Sequence, residues 1–161
     1  MKILNTEKED YHIHSINFSD GMNTVDELVL FAGKIGMKKI VITDHSQACL
    51  DADKISRKNS RVTCKRWKNV HNKVNVIFGV EADLLNEKGD ICSDIQGVEG
   101  DFIILSFHNN VYRGDLSKLT EAWVNAIEKH HKKINTIGHL WVDYGFKIDF
   151  DKVVAVANKH K

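Results

Sequence analysis

The chain has 161 residues, of which 42% are hydrophobic and 28% are charged, and its formal net charge at pH 7 is +1. Such values are typical of a folded globular protein and suit a single domain over residues 1–161. The near-neutral charge gives no case for nucleic-acid or membrane partners, and no apolar run approaches the roughly 18 to 20 residues that span a bilayer. The three cysteines form no CxxC pair, so we expect reduced thiols and a cytoplasmic protein, not a disulfide framework or a zinc finger.

The chain begins with a predicted strand and a predicted helix. Residues 11–15 (YHIHS) indicate the strand, and because alternate strand side chains share a face, His12 and His14 point the same way. Residues 24–36 indicate the helix, since the start TVDE fits a capping box and glycines follow near the end.

Further apolar runs alternate with amphipathic or polar segments along the rest of the chain. The predicted elements are, in order, a strand at 38–46, a helix at 51 to about 72, a strand at 74–82, a loop or hairpin turning at 88–90, a strand at 101–108, a helix at 116–131, a strand at 133–139 and a helix at 149–161. Strands alternating with helices predict a parallel α/β architecture. In such folds, binding and catalytic residues collect at the carboxyl ends of the strands.

Histidines and one glutamate lie at or just beyond the ends of all five predicted strands. They are His12, His14, His45, Glu81, His108 and His139. A lone histidine at a strand end is more often structural than a ligand, but the coincidence of all five strands predicts a metal site. Imidazole with carboxylate favours Zn, Mn or Fe over Mg or Ca.

The number of ions follows from the number of histidines. One catalytic zinc ion takes about three protein ligands, so five histidines are too many for one ion and we expect two or more ions. Glu81 is suited to bridging two ions about 3.5 to 4 Å apart, which together generate a hydroxide nucleophile at neutral pH and neutralise phosphoryl charge.

The motifs DYHIHS…SDG, TDH, GVEA, SFH and GHL, in this order and rough spacing, resemble those of the PHP (polymerase and histidinol phosphatase) family, especially its histidinol-phosphatase-like members. The resemblance covers essentially the whole chain. It implies a distorted (β/α)7 TIM-like barrel, incomplete here with about five βα units, and two to three divalent Zn, Mn or Fe ions. The implied ligands are His12, His14 and Glu81 for the first ion, Glu81, His108 and His139 for the second, and Asp20 with His45 for the third.

The resemblance also implies an activity. It is the hydrolysis of a small phosphomonoester, such as the histidinol phosphate of histidine biosynthesis, by a metal-bound hydroxide. The implied catalytic residues are His12, His14, Glu81, His108 and His139. Arg113, in the loop after His108, and Lys38 or Lys39 are candidates for binding substrate phosphate, with a solvated charge the simpler reading of each lysine. Asp44 is a candidate support for the ligand that follows it, or the start of a strand-end turn.

The chain departs from the family pattern in one respect. Family members continue into two more strands whose Asp-x-His pair completes the first and third metal positions, and this sequence contains no such pair there. We therefore expect the second metal position to bind its ion best. We also expect the sheet to have open edges, which a second copy or a partner chain would cover. The alternative functions are a catalytically incomplete metal-binding fragment, a PHP-type 3′–5′ exonuclease, which the near-neutral charge disfavours, and an amidohydrolase, which also begins with His-x-His.

Overall fold

Parallel strands connected by helices organise the chain. The computed structural model describes residues 7–54, 71–140 and 147–160. Its strands are β1 (Glu9–Ile13), β2 (Lys39–His45), β3 (Asn75–Leu84), β4 (Ile91–Cys92), β5 (Asp94–Ile95), β6 (Val98–Glu99), β7 (Phe102–Ser106) and β8 (Thr136–Ile137). Its helices are α1 (Val25–Lys34), α2 (Gln47–Ala52), α3 (Leu119–His130), which follows a 3₁₀ turn at Leu116–Lys118, and α4 (Phe150–Lys159).

The main sheet has the strand order β1-β2-β3-β7-β8, and these five strands are parallel. It curls into a half-barrel with the helices alternating along the chain, which confirms the predicted incomplete α/β barrel. The register places His45 of β2 beside Glu81 of β3 and Asp83 beside Ser106 of β7. The carboxyl ends of neighbouring strands therefore meet along one edge of the sheet.

The central strands of the sheet are buried. Every residue of β2 between its two end residues is buried, and so are the last seven residues of β3. Such strands consist of near-continuous apolar runs, not alternating patterns. Trp123 of α3 is 1% exposed and belongs to the same core.

Helix α1 begins and ends as its sequence predicts. The Thr24 hydroxyl accepts a hydrogen bond from the Glu27 amide, and the Glu27 carboxylate accepts one from the Thr24 amide at 2.8 Å. This capping box satisfies two amides that a helix start otherwise leaves unpaired. After the helix, Gly36 adopts a φ of 77°, a left-handed conformation that glycine adopts without strain.

Short elements differ most from the predictions. The turn at 88–90 is confirmed, with β4 pairing antiparallel to the end of β3, but the β5–β6 hairpin was not predicted. Strand β8 contains two residues where seven were predicted. Most of the helix predicted at 51–72 lies outside the described residues. Within the described ranges, no helix combines the length and the apolar character needed to cross a membrane.

Candidate metal centre

A single buried carboxylate, that of Glu81, lies at the centre of five imidazole rings. The Glu81 side chain is 1% exposed and extends from β3 at the carboxyl edge of the sheet. Its Oε1 atom lies 2.7 Å from Nε2 of His139, 3.3 Å from Nε2 of His12 and 3.7 Å from Nε2 of His108. Its Oε2 atom lies 3.1 Å from Nε2 of His14 and 3.1 Å from Nδ1 of His45. The residues that the sequence places at separate strand ends thus come together around one group.

The structure gathers each of the three ligand sets implied by the motifs. In the described residues, potential ligand atoms lie within 4.8 Å of one another in the groups His12–His14–Glu81, Glu81–His108–His139 and His14–Asp20–His45. The third group includes His14, which the sequence assigned only to the first. A fourth group, His45–Cys49–His108, was not predicted.

The donor chemistry of these groups fits transition ions. Each group combines two neutral-capable imidazoles with a carboxylate or a thiol, a set that suits Zn, Mn or Fe better than Mg or Ca. The Nδ1 atom of His45 is buried and makes no hydrogen bond within the described residues, although it faces the Glu81 carboxylate. Nε2 atoms of His12 and His14 lie 3.0 Å apart. Ring nitrogens this close together can bind one cation when both are deprotonated.

Strong electrostatic coupling links Glu81 and its histidines. Burial lowers the pKa of His14, but hydrogen bonds and charge interactions with Glu81 and Asp20 outweigh it and raise that pKa to about 9. Burial alone would raise the pKa of Glu81, yet hydrogen bonds from His12, His139 and His14 hold the pKa of Glu81 far below its usual value. Without an ion, a protonated His14 therefore lies beside the charged carboxylate of Glu81 at neutral pH.

Asp20 lies on the solvent-exposed side of the cluster. Its side chain is 70% exposed and lies 2.8 Å from Nδ1 of His14 and 3.5 Å from Nε2 of His45. Burial raises its pKa, but His14 and His45 outweigh this and lower the pKa of Asp20 below the ordinary value. The next residue, Gly21, packs against the His14 carbonyl, where an added Cβ would lie 2.1 Å from the oxygen. The SDG motif therefore needs glycine so that Asp20 can approach the histidines.

Asp44 supports the backbone beside the cluster and contacts Ser15. The Ser15 amide and hydroxyl donate to its two carboxylate oxygens at 2.6 and 2.8 Å. Burial raises the pKa of Asp44 to about 6, although the hydrogen bonds from Ser15 act in the opposite direction. These bonds tie the segment after β1 to the end of β2, which brings His14 beside His45.

Sequence reasoning missed two residues beside the cluster, Asp83 and Cys49. Asp83 is fully buried and its Oδ1 atom lies 2.6 Å from Nδ1 of His108. A signal for it was present, since residues two apart on a strand share a face and Asp83 follows Glu81 at that spacing. Burial raises the pKa of the Cys49 thiol to about 12, helped by the charges of Asp83 and Asp53, so this thiol is protonated at neutral pH in the metal-free protein.

The predicted phosphate-binding cations lie outside these contacts. Lys39 begins β2 and pairs with Glu9 at 3.0 Å, six residues and about 20 Å of strand from His45. Lys38 and Lys39 thus lie at the amino edge of the sheet, away from the cluster, which favours the simpler reading of a surface charge for each lysine. Arg113 is exposed, and its guanidinium donates to the Tyr112 carbonyl at 3.0 Å. Its role in phosphate binding stays a prediction.

Known proteins are similar in sequence to nearly the whole of this chain. The family model described as "PHP domain" matches residues 10–151. Curated relatives include a probable phosphatase of Vibrio parahaemolyticus, 29% identical over 153 residues, and one of Shewanella loihica, 31% identical over 156 residues. The probable phosphatase YcdX of Shigella flexneri is 27% identical over 154 residues. These alignments cover 94% of this chain but 59 or 60% of the relatives, so the chain spans about three-fifths of their length.

Proposed function

Because this chain belongs to the PHP domain family, we propose that it forms the metal-binding centre of a phosphoesterase that hydrolyses phosphomonoesters. The observation that carries the proposal is the convergence of five imidazoles on the buried carboxylate of Glu81. The probable-phosphatase names of the relatives support the same reaction class.

Two to three divalent ions, Zn, Mn or Fe, are the proposed cofactors. His12 and His14 with Glu81 would hold the first, Glu81 with His108 and His139 the second, and Asp20 with His14 and His45 the third. Bound ions of this kind lower the pKa of water and neutralise charge on a phosphoryl group. The carboxylate of Glu81 is the shared group of the first two positions, so both depend on its charge.

Solvent access to the cluster is uneven, and this sets where a substrate would approach. Glu81 is 1% exposed, whereas the His12 and Asp20 side chains are 37% and 70% exposed. A phosphomonoester would therefore approach from the side of His12 and Asp20. The buried side supplies a fixed negative charge that is poorly screened by water. A small substrate fits this arrangement. The specific substrate that we propose is histidinol phosphate, on the basis of the DYHIHS and GHL motifs.

Metal content and turnover, measured together, test the proposal. Tag-free protein should be supplemented with Zn, Mn or Fe, dialysed, analysed for bound metal, and assayed with p-nitrophenyl phosphate and histidinol phosphate. We expect about two or more ions per chain and turnover that Glu81→Gln abolishes. Glu128→Gln is the matched control, because Glu128 is an exposed carboxylate whose partners are Lys159 and His160. At most one ion and no turnover with any of the three metals would contradict the proposal.

A second candidate is a metal-binding unit whose turnover requires further strands from a second copy or a partner chain. It is favoured by the sheet, whose described residues leave β1 and β8 as edge strands, with only two residues in β8. Stoichiometric metal without turnover would support this candidate. Release of nucleotides from single-stranded DNA, with no hydrolysis of phosphomonoesters, would instead support an exonuclease.

A further inference from the structure

Asp83 is a fully buried carboxylate that lies between a serine and a histidine of the cluster. Its Oδ1 atom lies 2.6 Å from Nδ1 of His108, and the Ser46 hydroxyl donates to its Oδ2 atom at 2.6 Å. Ser46 also accepts a hydrogen bond from the Ala48 amide at the start of α2. Both carboxylate oxygens therefore have partners, and helix α2 helps to hold the orientation of the group.

The two nitrogens of His108 face different carboxylates. Nδ1 faces Asp83, while Nε2 lies 3.7 Å from Oε1 of Glu81, within the group Glu81–His108–His139. A carboxylate beside Nδ1 favours the tautomer in which Nδ1 carries the proton, since only an N–H can donate to it. Nε2 then keeps a free lone pair directed toward Glu81, as a metal ligand requires.

We propose that Asp83 is a positioning residue that fixes the tautomer and ring orientation of His108, with Ser46 locking the carboxylate in place. The link to metal binding rests on the proposed function, whereas the tautomer is a property of the metal-free protein. The cost of burying a charge explains why Asp83 has two short hydrogen bonds, because an unpaired buried carboxylate is strongly destabilising. Asp83 is absent from the ligand groups found among the described residues, which agrees with a supporting role.

Asp44 provides the matched comparison. It is equally buried and lies at the same edge of the sheet, but its oxygens accept hydrogen bonds from the Ser15 amide and hydroxyl. Substitution of either aspartate by asparagine removes one buried charge next to the cluster. Only the Asp83 substitution removes the charge that faces a histidine ring nitrogen at hydrogen-bond distance. Comparing the two variants therefore separates a general effect of charge loss from a specific effect on His108.

The first test measures the tautomer of His108 without metal. Long-range ¹H–¹⁵N spectra of chelator-treated protein at pH 8, with the His108 signals identified by their loss in His108→Gln, report which nitrogen carries the proton. We expect Nδ1 protonation in the wild type, a shift toward Nε2 protonation in Asp83→Asn, and no change in Asp44→Asn. If Asp83→Asn does not fold, the wild-type spectrum and the spectrum of Ser46→Ala show instead which nitrogen of His108 carries the proton. Nε2 protonation in the wild type, or a tautomer unchanged in folded Asp83→Asn, would overturn the proposal.

The second test measures the consequence for the metal. Chelator competition with Zn should show binding roughly 10- to 100-fold weaker in Asp83→Asn than in the wild type, the range for loss of a group that orients a ligand, and unchanged binding in the exposed control variant Glu128→Gln. Equal affinities of the wild type and folded Asp83→Asn would overturn the link to metal binding. Wild-type protein that binds no metal would refute the proposed function, while the tautomer spectra would still decide the role of Asp83.

Discussion

Replacing Glu81 by glutamine removes a charge while keeping the size of the side chain. The side chain is 1% exposed, and both of its oxygens face imidazole nitrogens at 2.7 to 3.7 Å. Glutamine fills the same space but replaces one oxygen by an amide nitrogen, which cannot bind a cation. The first and second proposed metal positions share this carboxylate, so one substitution should weaken both.

The expected loss of affinity follows from burial. Removing one partner of a buried ion pair costs about 3 to 5 kcal/mol, because the remaining charge is left uncompensated. At about 1.36 kcal/mol per factor of ten, this corresponds to metal binding roughly 150- to 5,000-fold weaker. Asp20 is the exposed counterpart in the same cluster, with a side chain 70% exposed. Pairs at the surface contribute about 0.2 to 1 kcal/mol, so Asp20→Asn should weaken binding at most about fivefold.

Chelator competition and elemental analysis after dialysis measure this difference. Wild type and Asp20→Asn should retain ions at the first and second positions, whereas Glu81→Gln should lose both under the same free-metal concentration. Circular dichroism shows whether each variant is folded. The reasoning would be refuted by a folded Glu81→Gln protein that keeps both ions with affinity within tenfold of the wild type. Equal losses in the two variants would refute the burial argument.

Three further predictions concern stability and the support of the site. Thr24→Ala should reduce the free energy of unfolding by about 0.5 to 2 kcal/mol in urea titrations, because the helix loses its cap. Thr24→Ser should keep most of that stability. Equal stability of the wild type and both variants would contradict the capping box. Gly138→Ala should weaken metal binding at the neighbouring His139, because the added Cβ would lie 2.2 Å from Oγ of Ser106 and would displace the backbone that holds His139. A metal affinity equal to that of the wild type in chelator competition would contradict this prediction. Removal of metal should lower the melting temperature, because an ion at a free concentration of 100 times its Kd stabilises the folded state by about 2.7 kcal/mol per site. Identical calorimetric transitions with and without chelator would rule out such a contribution.

Local patterns predicted the long elements because their signals lie within one segment. The capping box at Thr24 and the β-branched runs that became β2 and β3 needed no knowledge of neighbours. Predictions failed for elements that depend on pairing. Strand β8 is shorter than its apolar run because its length is set by hydrogen bonds to β7. The β5–β6 hairpin has two residues per strand, too few to show a period, and turns through Gln96 and Gly97 at positive φ.

The sequence by itself determined that His45, Glu81 and His108 lie at the ends of strands. Because parallel strands place their carboxyl ends at one edge of the sheet, this pattern predicts that the three residues come together, as they do in the structure. Tertiary structure alone decided which Glu81 oxygen faces which ring and that Asp83 contacts His108. These features depend on the register between strands and on side-chain packing, which arise from contacts between segments distant in sequence. A pattern along one segment contains no information about such contacts.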